Sequence, residues 1–290
     1  MDILDVKILR YLWEDGRMPV YKIAEKLGIS GVAVDRRINA MMARGELLGF
    51  AVLLNSEYIL NSSVIALRAK KNRKKVFDKI SKIPGVMHFV GCLGGHYYGE
   101  FWYGDSFELE EKSMLFKELT DSYSIELYHH QKREEAALDS IDWKIILAMK
   151  DNSRVAFSKL AKEIGISAKT ISRRWERLRA QEIVKAYPVV NRPFSKDIFW
   201  FSLFIEVDEL SIESRIAKME NLWRTSIFKE PKMIYGVFFA QFVKDIDATM
   251  ERVVCMKGVK KVHYEMIVEE QFYRDYVVFV ASKKNVLQNR

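Results

Sequence analysis

Lys22–Ser30 reads KIAEKLGIS, and residues 159–167 read KLAKEIGIS. The likeness extends in both directions. Asp5 is matched by Asp142, Lys7 by Lys144, Ile8 by Ile145, and Arg36-Arg37 by Arg173-Arg174, every pair 137 positions apart with no gap. In the first copy Leu4, Ile8, Leu9 and Leu12 fall on one helical face, and Ile23, Ala24 and Leu27 on a second helix. Gly28 supplies a left-handed terminator and Ser30 caps a third helix, which buries Val34, Ile38 and Met41. In the second copy Ile145, Met149, Leu160, Ile164, Gly165, Ile166 and Ser167 repeat the plan, with Ile171, Trp175 and Leu178 as the buried stripe. This is a helix-turn-helix written twice, and a chain with two such units has in effect built its own dimer.

Each third helix is followed by a β-rich piece, ELLGFAVLLN (46–55) and EIVKAYPVVN (182–191), which reads as a wing hairpin. Alternating strand and helix follow. In the first half these are SSVIALRAK (62–70), a helix over Val76–Ile83, VMHFVGCLGG (86–95), HYYGEFWYG (96–104), a helix over Glu108–Leu119 and SIELYHH (124–130). In the second half they are IFWFSLFIEVD (198–208), a helix over Glu213–Trp223, PKMIYGVFFAQFV (231–243), a helix over Ala248–Met256 and KKVHYEMIVEE (260–270). That order is βαββαβ, the ferredoxin-like arrangement. Here the offset drifts to 141, aligning Gly95-His96-Tyr97-Tyr98 with Gly236-Val237-Phe238-Phe239. The expected class is α+β: two winged helix-turn-helix domains (1–60 and 138–195) and two ferredoxin-like modules (61–133 and 196–290), forming a pseudo-dimer. The charged stretch QKREEAALDS (131–140) marks the junction of the halves.

The 47 Lys and Arg residues against 39 Asp and Glu leave a net charge of +8, which favours a polyanionic partner without requiring one. Cys92 and Cys255 are not equivalent in the repeat, so neither a disulfide framework nor a metal pattern is indicated; both read as buried, reduced thiols. No secretory pattern and no membrane-length apolar run is visible, and a cytoplasmic protein is expected.

A helix-turn-helix with a short wing followed by a βαββαβ module resembles the Lrp/AsnC family of bacterial and archaeal transcription regulators. LDVKIL (4–9) and IDWKII (141–146), with the two nine-residue stretches above, are similar to that family's motifs over nearly the whole chain. The resemblance implies a regulator of archaeal type, a tandem of the family's one-copy unit, with double-stranded DNA as partner. It further implies self-association through the αβ modules, and contact with the basal transcription machinery is one route to regulation; a winged-helix scaffold bound to that machinery rather than to DNA is an alternative, separated by the salt slope of DNA affinity. The chain departs from the family's usual Gly-x-Tyr-Asp at the third strand, which implies no amino-acid effector site of the usual type. Siroheme decarboxylases share the same layout. They need a cationic pocket and a histidine for proton transfer, and His88, His96 and His263 read as scattered, so a non-enzyme is expected.

On the third helices, the face opposite the buried stripe carries Val32, Asp35, Arg36, Asn39 and Ala40 in the first copy, with Arg37 at the flank. In the second it carries Lys169, Ser172, Arg173, Glu176 and Arg177, with Arg174 at the flank. Outward Arg, Lys, Asn and Ser can reach base edges in the major groove, while flanking cations meet phosphate. The DNA-binding candidates are therefore Val32, Asp35, Arg36, Arg37, Asn39, Lys169, Ser172, Arg173, Arg174 and Arg177. Residues 30–44 carry a balance of +2 and residues 167–181 a balance of +4, so the second copy is expected to bind more strongly, at an imperfect palindrome.

Three further constellations stand out. The basic run Arg68, Lys70, Lys71, Arg73, Lys74, Lys75 is either a phosphate clamp or a solvated loop. On a strand, His96, Tyr98, Glu100 and Trp102 share one face and could line a ligand pocket; packing of the sheet is the alternative. His129, His130 and His263 lie near strand ends with no carboxylate or cysteine at a metal-ligand spacing, so neither a metal nor a cofactor is expected.

Overall fold

The computed structural model describes residues 1–69, 72–191 and 197–284; Lys70 and Lys71 of the basic run lie outside them. The first half contains α1 (Ile3–Glu14), α2 (Val20–Leu27), α3 (Gly31–Ala43), β1 (Leu47–Leu54), β2 (Asn61–Ala69), α4 (Arg73–Ile80), β3 (Val86–Cys92), β4 (His96–Tyr103), α5 (Ser106–Thr120) and β5 (Ser122–His129). The second begins with α6 (Ser140–Met149), α7 (Phe157–Ile164), α8 (Ala168–Ala180), β6 (Val184–Val190) and β7 (Phe199–Val207). It ends with α9 (Glu213–Ile216), β8 (Leu222–Phe228), β9 (Met233–Ala240), α10 (Val243–Val254), β10 (Val259–Phe272) and α11 (Tyr276–Lys283). No helix among the described residues is long and apolar enough to cross a membrane.

These elements form two compact units. One collects the helix-turn-helix copies, residues 4–61 and 132–191, with the segment from Tyr273 onward. Here the wing expectation is corrected. Each β-rich piece is a single strand, and β1 pairs antiparallel with β6, so the two copies share one ribbon. Phe50 lies opposite Pro188 and Ala51 opposite Tyr187. Tyr187 and Pro188 are the repeat equivalents of Phe50 and Ala51, so the pseudo-two-fold axis passes through this point. Each strand would have no ladder partner within its own copy; pairing across the copies gives each one partner in a two-stranded ribbon.

A matched pair of arginines closes the same joint. Arg17 donates to the carbonyls of Ser153 (2.5 Å) and Val155 (3.0 Å). Arg154, its equivalent, donates to the carbonyls of Gly16 (2.6 Å) and Met18 (3.1 Å). The guanidinium groups also cover Phe157 and Phe50, each at 4.2 Å from the ring centroid. Gly16 is dictated by contact: a Cβ there would stand 2.7 Å from the Ala186 carbonyl carbon, while the Gly16 N–H donates to the Ala186 oxygen at 2.9 Å. α11, which the apolar pattern did not reveal, anchors to β1 through Tyr276, whose hydroxyl accepts from Leu54 N–H (2.9 Å) and donates to Val52 O (3.2 Å).

The other unit holds the two βαββαβ modules, with strands in the order β5-β2-β4-β3-β10-β7-β9-β8. Each four-strand half has the expected ferredoxin-like order. The join is made by β10, whose first part (Val259–Met266) pairs with β7 and whose last part (Ile267–Phe272) pairs with β3. In the first module Phe77 of α4 meets Phe89 at 5.4 Å and Phe116 of α5 meets Phe101 at 5.1 Å, centroid to centroid. In the second, Phe201, Leu203, Ile234 and Phe238 pack beneath Ile216, Ile246 and Val253. The opposite sheet faces meet through Tyr98–Tyr235 (5.1 Å), Tyr98–Phe204 (5.8 Å) and Tyr128–Phe228 (5.5 Å).

Two local expectations fail. The helix foreseen over 213–223 stops at Ile216, and Leu222-Trp223 begin β8, because the place of Leu222 opposite Phe238 on β9 outweighs the helical spacing of Ile216 and Met219. Cys92 is buried, but Cys255 is exposed, since it closes α10 on its solvent side.

Candidate nucleic-acid interface

Each third helix is aimed by the turn before it. Gly28 (φ 66°) and Gly165 (φ 79°) take the left-handed conformation that ends α2 and α7. Ser30 then accepts from Ala33 N–H, and Ser167 from Thr170 N–H, both at 3.1 Å, capping α3 and α8.

The two arginines of each Arg-Arg pair have different tasks. Arg37 donates to Asp5 Oδ1 at 2.8 Å, and Arg174 to Asp142 Oδ1 at 2.9 Å and Asp139 Oδ2 at 2.6 Å. The Asp5 and Asp142 side chains are only 5% and 1% exposed. A carboxylate buried to that degree needs a cation, so the repeated Asp and the second Arg form an internal strut tying the first helix of each copy to its third. Arg177, expected on the outward face, turns its guanidinium to Asp142 Oδ2 at 2.5 Å. Burial pushes the Asp139 carboxyl upward, but the hydrogen bond from Arg174 and those from the Asp142 and Ile141 N–H groups more than offset it and hold the pKa below the ordinary value.

Arg36 and Arg173 are exposed, and neither has an ion-pair partner among the described residues. Val32, Asp35 and Asn39 share the exposed face of α3, where Asn39 donates to Asp35 at 3.2 Å. Lys169 is exposed and Ser172 half-buried on α8. After the internal pairs are set aside, α3 presents Asp35 and Arg36, which cancel, while α8 presents Lys169 and Arg173. The difference in charge between the helices survives; its carriers are fewer than their sequences indicate.

The αβ unit contains a cavity of about 400 Å³ between its two modules' strands, lined among others by Arg68, His96, Tyr98, Lys261, His263 and Glu265. Of the four residues expected to line a pocket, His96 and Tyr98 reach it. Glu100 is instead buried, accepting from Ser62 Oγ at 3.1 Å with His130 Nε2 3.6 Å away, and Trp102 is fully buried. Tyr97, assigned to the other strand face, also lines the cavity. His96 and His263, read as scattered, meet there: His96 Nδ1 and His263 Nε2 both bond Glu265 Oε1, the latter at 2.6 Å. The only sequence trace of this cluster is His263-x-Glu265 on one strand; His96 arrives from the other module.

The profile of the AsnC-type helix-turn-helix domain matches residues 1–42 and 138–179. An uncharacterised HTH-type transcriptional regulator of Pyrococcus furiosus is 32% identical over 100 residues, 33% of this chain and 67% of its own length. Regulatory protein AsnC of Haemophilus influenzae is 30% identical over 101 residues, again 33% and 67%. The HTH-type transcriptional regulator LrpA of Pyrococcus horikoshii is 32% identical over 83 residues, 29% of this chain; the chain spans 59% of that relative's length. The leucine-responsive regulatory protein of Rhizobium meliloti is spanned over 36%. Among solved structures, the siroheme decarboxylase NirDL matches 98% of this chain and 99% of its own with a TM-score of 0.58 at 16% identity, a likeness of fold.

Proposed function

The chain belongs to the Lrp/AsnC family of DNA-binding transcription regulators, and from that premise we propose that it reads an imperfect palindrome in double-stranded DNA with both recognition helices of a single chain. One observation carries the reading: Arg36 and Arg173 stand exposed at equivalent positions, while the neighbouring arginine of each pair is consumed by an internal strut. In this reading Arg173, Lys169 and Ser172 face base edges from α8, and Arg36, Asn39, Asp35 and Val32 from α3. Arg37, Arg174 and Arg177 hold the helices in place and approach the phosphates from the flank. The ribbon β1–β6 and the reciprocal arginines join the two copies within one unit, so the spacing between half-sites is set by the chain itself. The test is binding to a labelled fragment from upstream of the gene, titrated with salt and unlabelled competitor. Arg173→Glu is expected to weaken competitor-resistant binding strongly, and binding unchanged in that variant would remove α8 from the interface.

A second reading, a siroheme-decarboxylase-like enzyme, is favoured by a specific observation: the cavity brings His96 and His263 together with Arg68 and Lys261, the residue types such an enzyme needs. Titration with an iron-uroporphyrin III analogue, followed through its visible absorption, separates the two. Under the regulator reading the spectrum does not respond to the protein, and stoichiometric changes lost in a His96→Ala variant would favour the enzyme.

A further inference from the structure

We propose that His96, His263 and Glu265 bind a divalent transition-metal ion, one per chain, at the mouth of the αβ cavity. The three donor atoms lie within 4.8 Å of one another. They come from the start of β4 and from alternate positions of β10, whose side chains point to the same side of the strand. The side chains of His96 and His263 are 23% and 48% exposed, so an ion can reach them from solvent, while the Glu265 carboxylate is 9% exposed and held beneath both rings.

The geometry is close to what an ion requires. Ligands about 2.0–2.2 Å from a tetrahedral centre lie roughly 3.3–3.5 Å apart. The 2.6 Å between His263 Nε2 and Glu265 Oε1 must therefore open by less than about 1 Å and the tighter His96 contact by somewhat more, while the spread of the donor set, within 4.8 Å, closes by about 1.5 Å, a movement the half-exposed His263 ring has room to make. Two imidazoles and one carboxylate suit zinc, cobalt, nickel or ferrous iron, whereas calcium and magnesium call for all-oxygen sets. Three protein donors leave coordination positions open, and these face a cavity lined by Lys261 and Arg68, with space for water or a small anionic ligand.

The stoichiometry follows from the imperfection of the repeat. Val237 stands where His96 stands in the first module, so the pseudo-symmetric counterpart lacks a ligand. The ion would link β4 of one module to β10 of the other, and so would stabilise the pair of modules.

The test uses the full chain with any affinity tag removed, stripped with a chelator and titrated with cobalt(II) and zinc(II). One ion per chain is expected, with cobalt d–d bands of a mixed nitrogen and oxygen site and a rise of about 3–5 °C in the melting temperature at saturation. His96→Ala and Glu265→Gln should each weaken binding by about 100-fold or more, at least what loss of an outer-shell partner costs. His263→Ala, at the most exposed ligand, should do the same while the metal-free chain keeps native circular dichroism and a cooperative melt, which separates loss of a ligand from loss of fold. No stoichiometric binding at ~100 μM ion, or binding retained in Glu265→Gln and His96→Ala, overturns the proposal, because transition-metal sites are ordinarily far tighter than that.

Discussion

Neighbouring arginines on α8 should respond to mutation in opposite ways. Replacing Arg174 by Ala removes the cation that donates to Asp142 Oδ1 (2.9 Å) and Asp139 Oδ2 (2.6 Å). Asp142, 1% exposed, keeps Arg177 and the Asp139 N–H, so it loses part of its compensation rather than all of it. Breaking a buried pair completely costs roughly 3–5 kcal/mol and losing one charge-assisted hydrogen bond about 1.5–3 kcal/mol, and the surviving partners place this change in the lower range. For a unit of this size that corresponds to a fall of roughly 4–10 °C in melting temperature. Arg173, one residue away, has no such partner among the described residues, so Arg173→Glu should leave the melting temperature within about 2 °C, as surface substitutions do. Its effect belongs to DNA: a base-reading arginine is worth about 1–3 kcal/mol, and the lost cation flattens the salt slope by about 1. Thermal melts of both variants, with fluorescence anisotropy over a salt series, make the comparison. Equal loss of stability in the two, or a DNA defect confined to Arg174→Ala, would refute the division of roles between them.

Other consequences of the same geometry are directly measurable. Arg36→Glu should weaken DNA binding less than Arg173→Glu, since α3 presents Asp35 beside its arginine; equal losses in a side-by-side titration would contradict the asymmetry. Gly16→Ala should destabilise the helix-turn-helix unit by about 1–3 kcal/mol in denaturant unfolding, because the new Cβ meets the Ala186 carbonyl carbon at 2.7 Å; a neutral outcome would show that β6 can yield. Asp139, with its pKa held low by Arg174, adds stability that is complete above the ordinary carboxylate range near pH 3.9 and is lost as pH falls through the native value. Asp139→Asn should therefore flatten the decline in melting temperature below about pH 4 relative to the parent chain.

What could be read from the sequence was whatever repeats with a fixed period. The offset of 137 exposed both helix-turn-helix copies, and helical spacing named Val34, Ile38, Ile171, Trp175 and Leu178, all of them buried. Pairing between distant segments left no comparable trace. β1 and β6 look like wing hairpins because strand propensity does not say where a partner lies, and their antiparallel match appears only once the copies meet. Arg17 and Arg154 were present as an identity at the same offset, but their carbonyl partners are backbone atoms that no side-chain pattern marks. The face of α8 was correctly drawn by periodicity, yet Arg177 is long enough to curl back to Asp142. His96 and His263 seemed scattered because 167 positions separate them, a distance that β10 cancels by running alongside β3 after leaving β7.

The most direct measurement of the central claim is a footprint and a binding stoichiometry on one upstream fragment, at rising salt. The account predicts that a single chain protects two unequal half-sites about one helical turn apart, with affinity falling steeply in salt and the stronger half-site lost in Arg173→Glu. Binding that is weak, insensitive to salt and indifferent to Arg173 would contradict it.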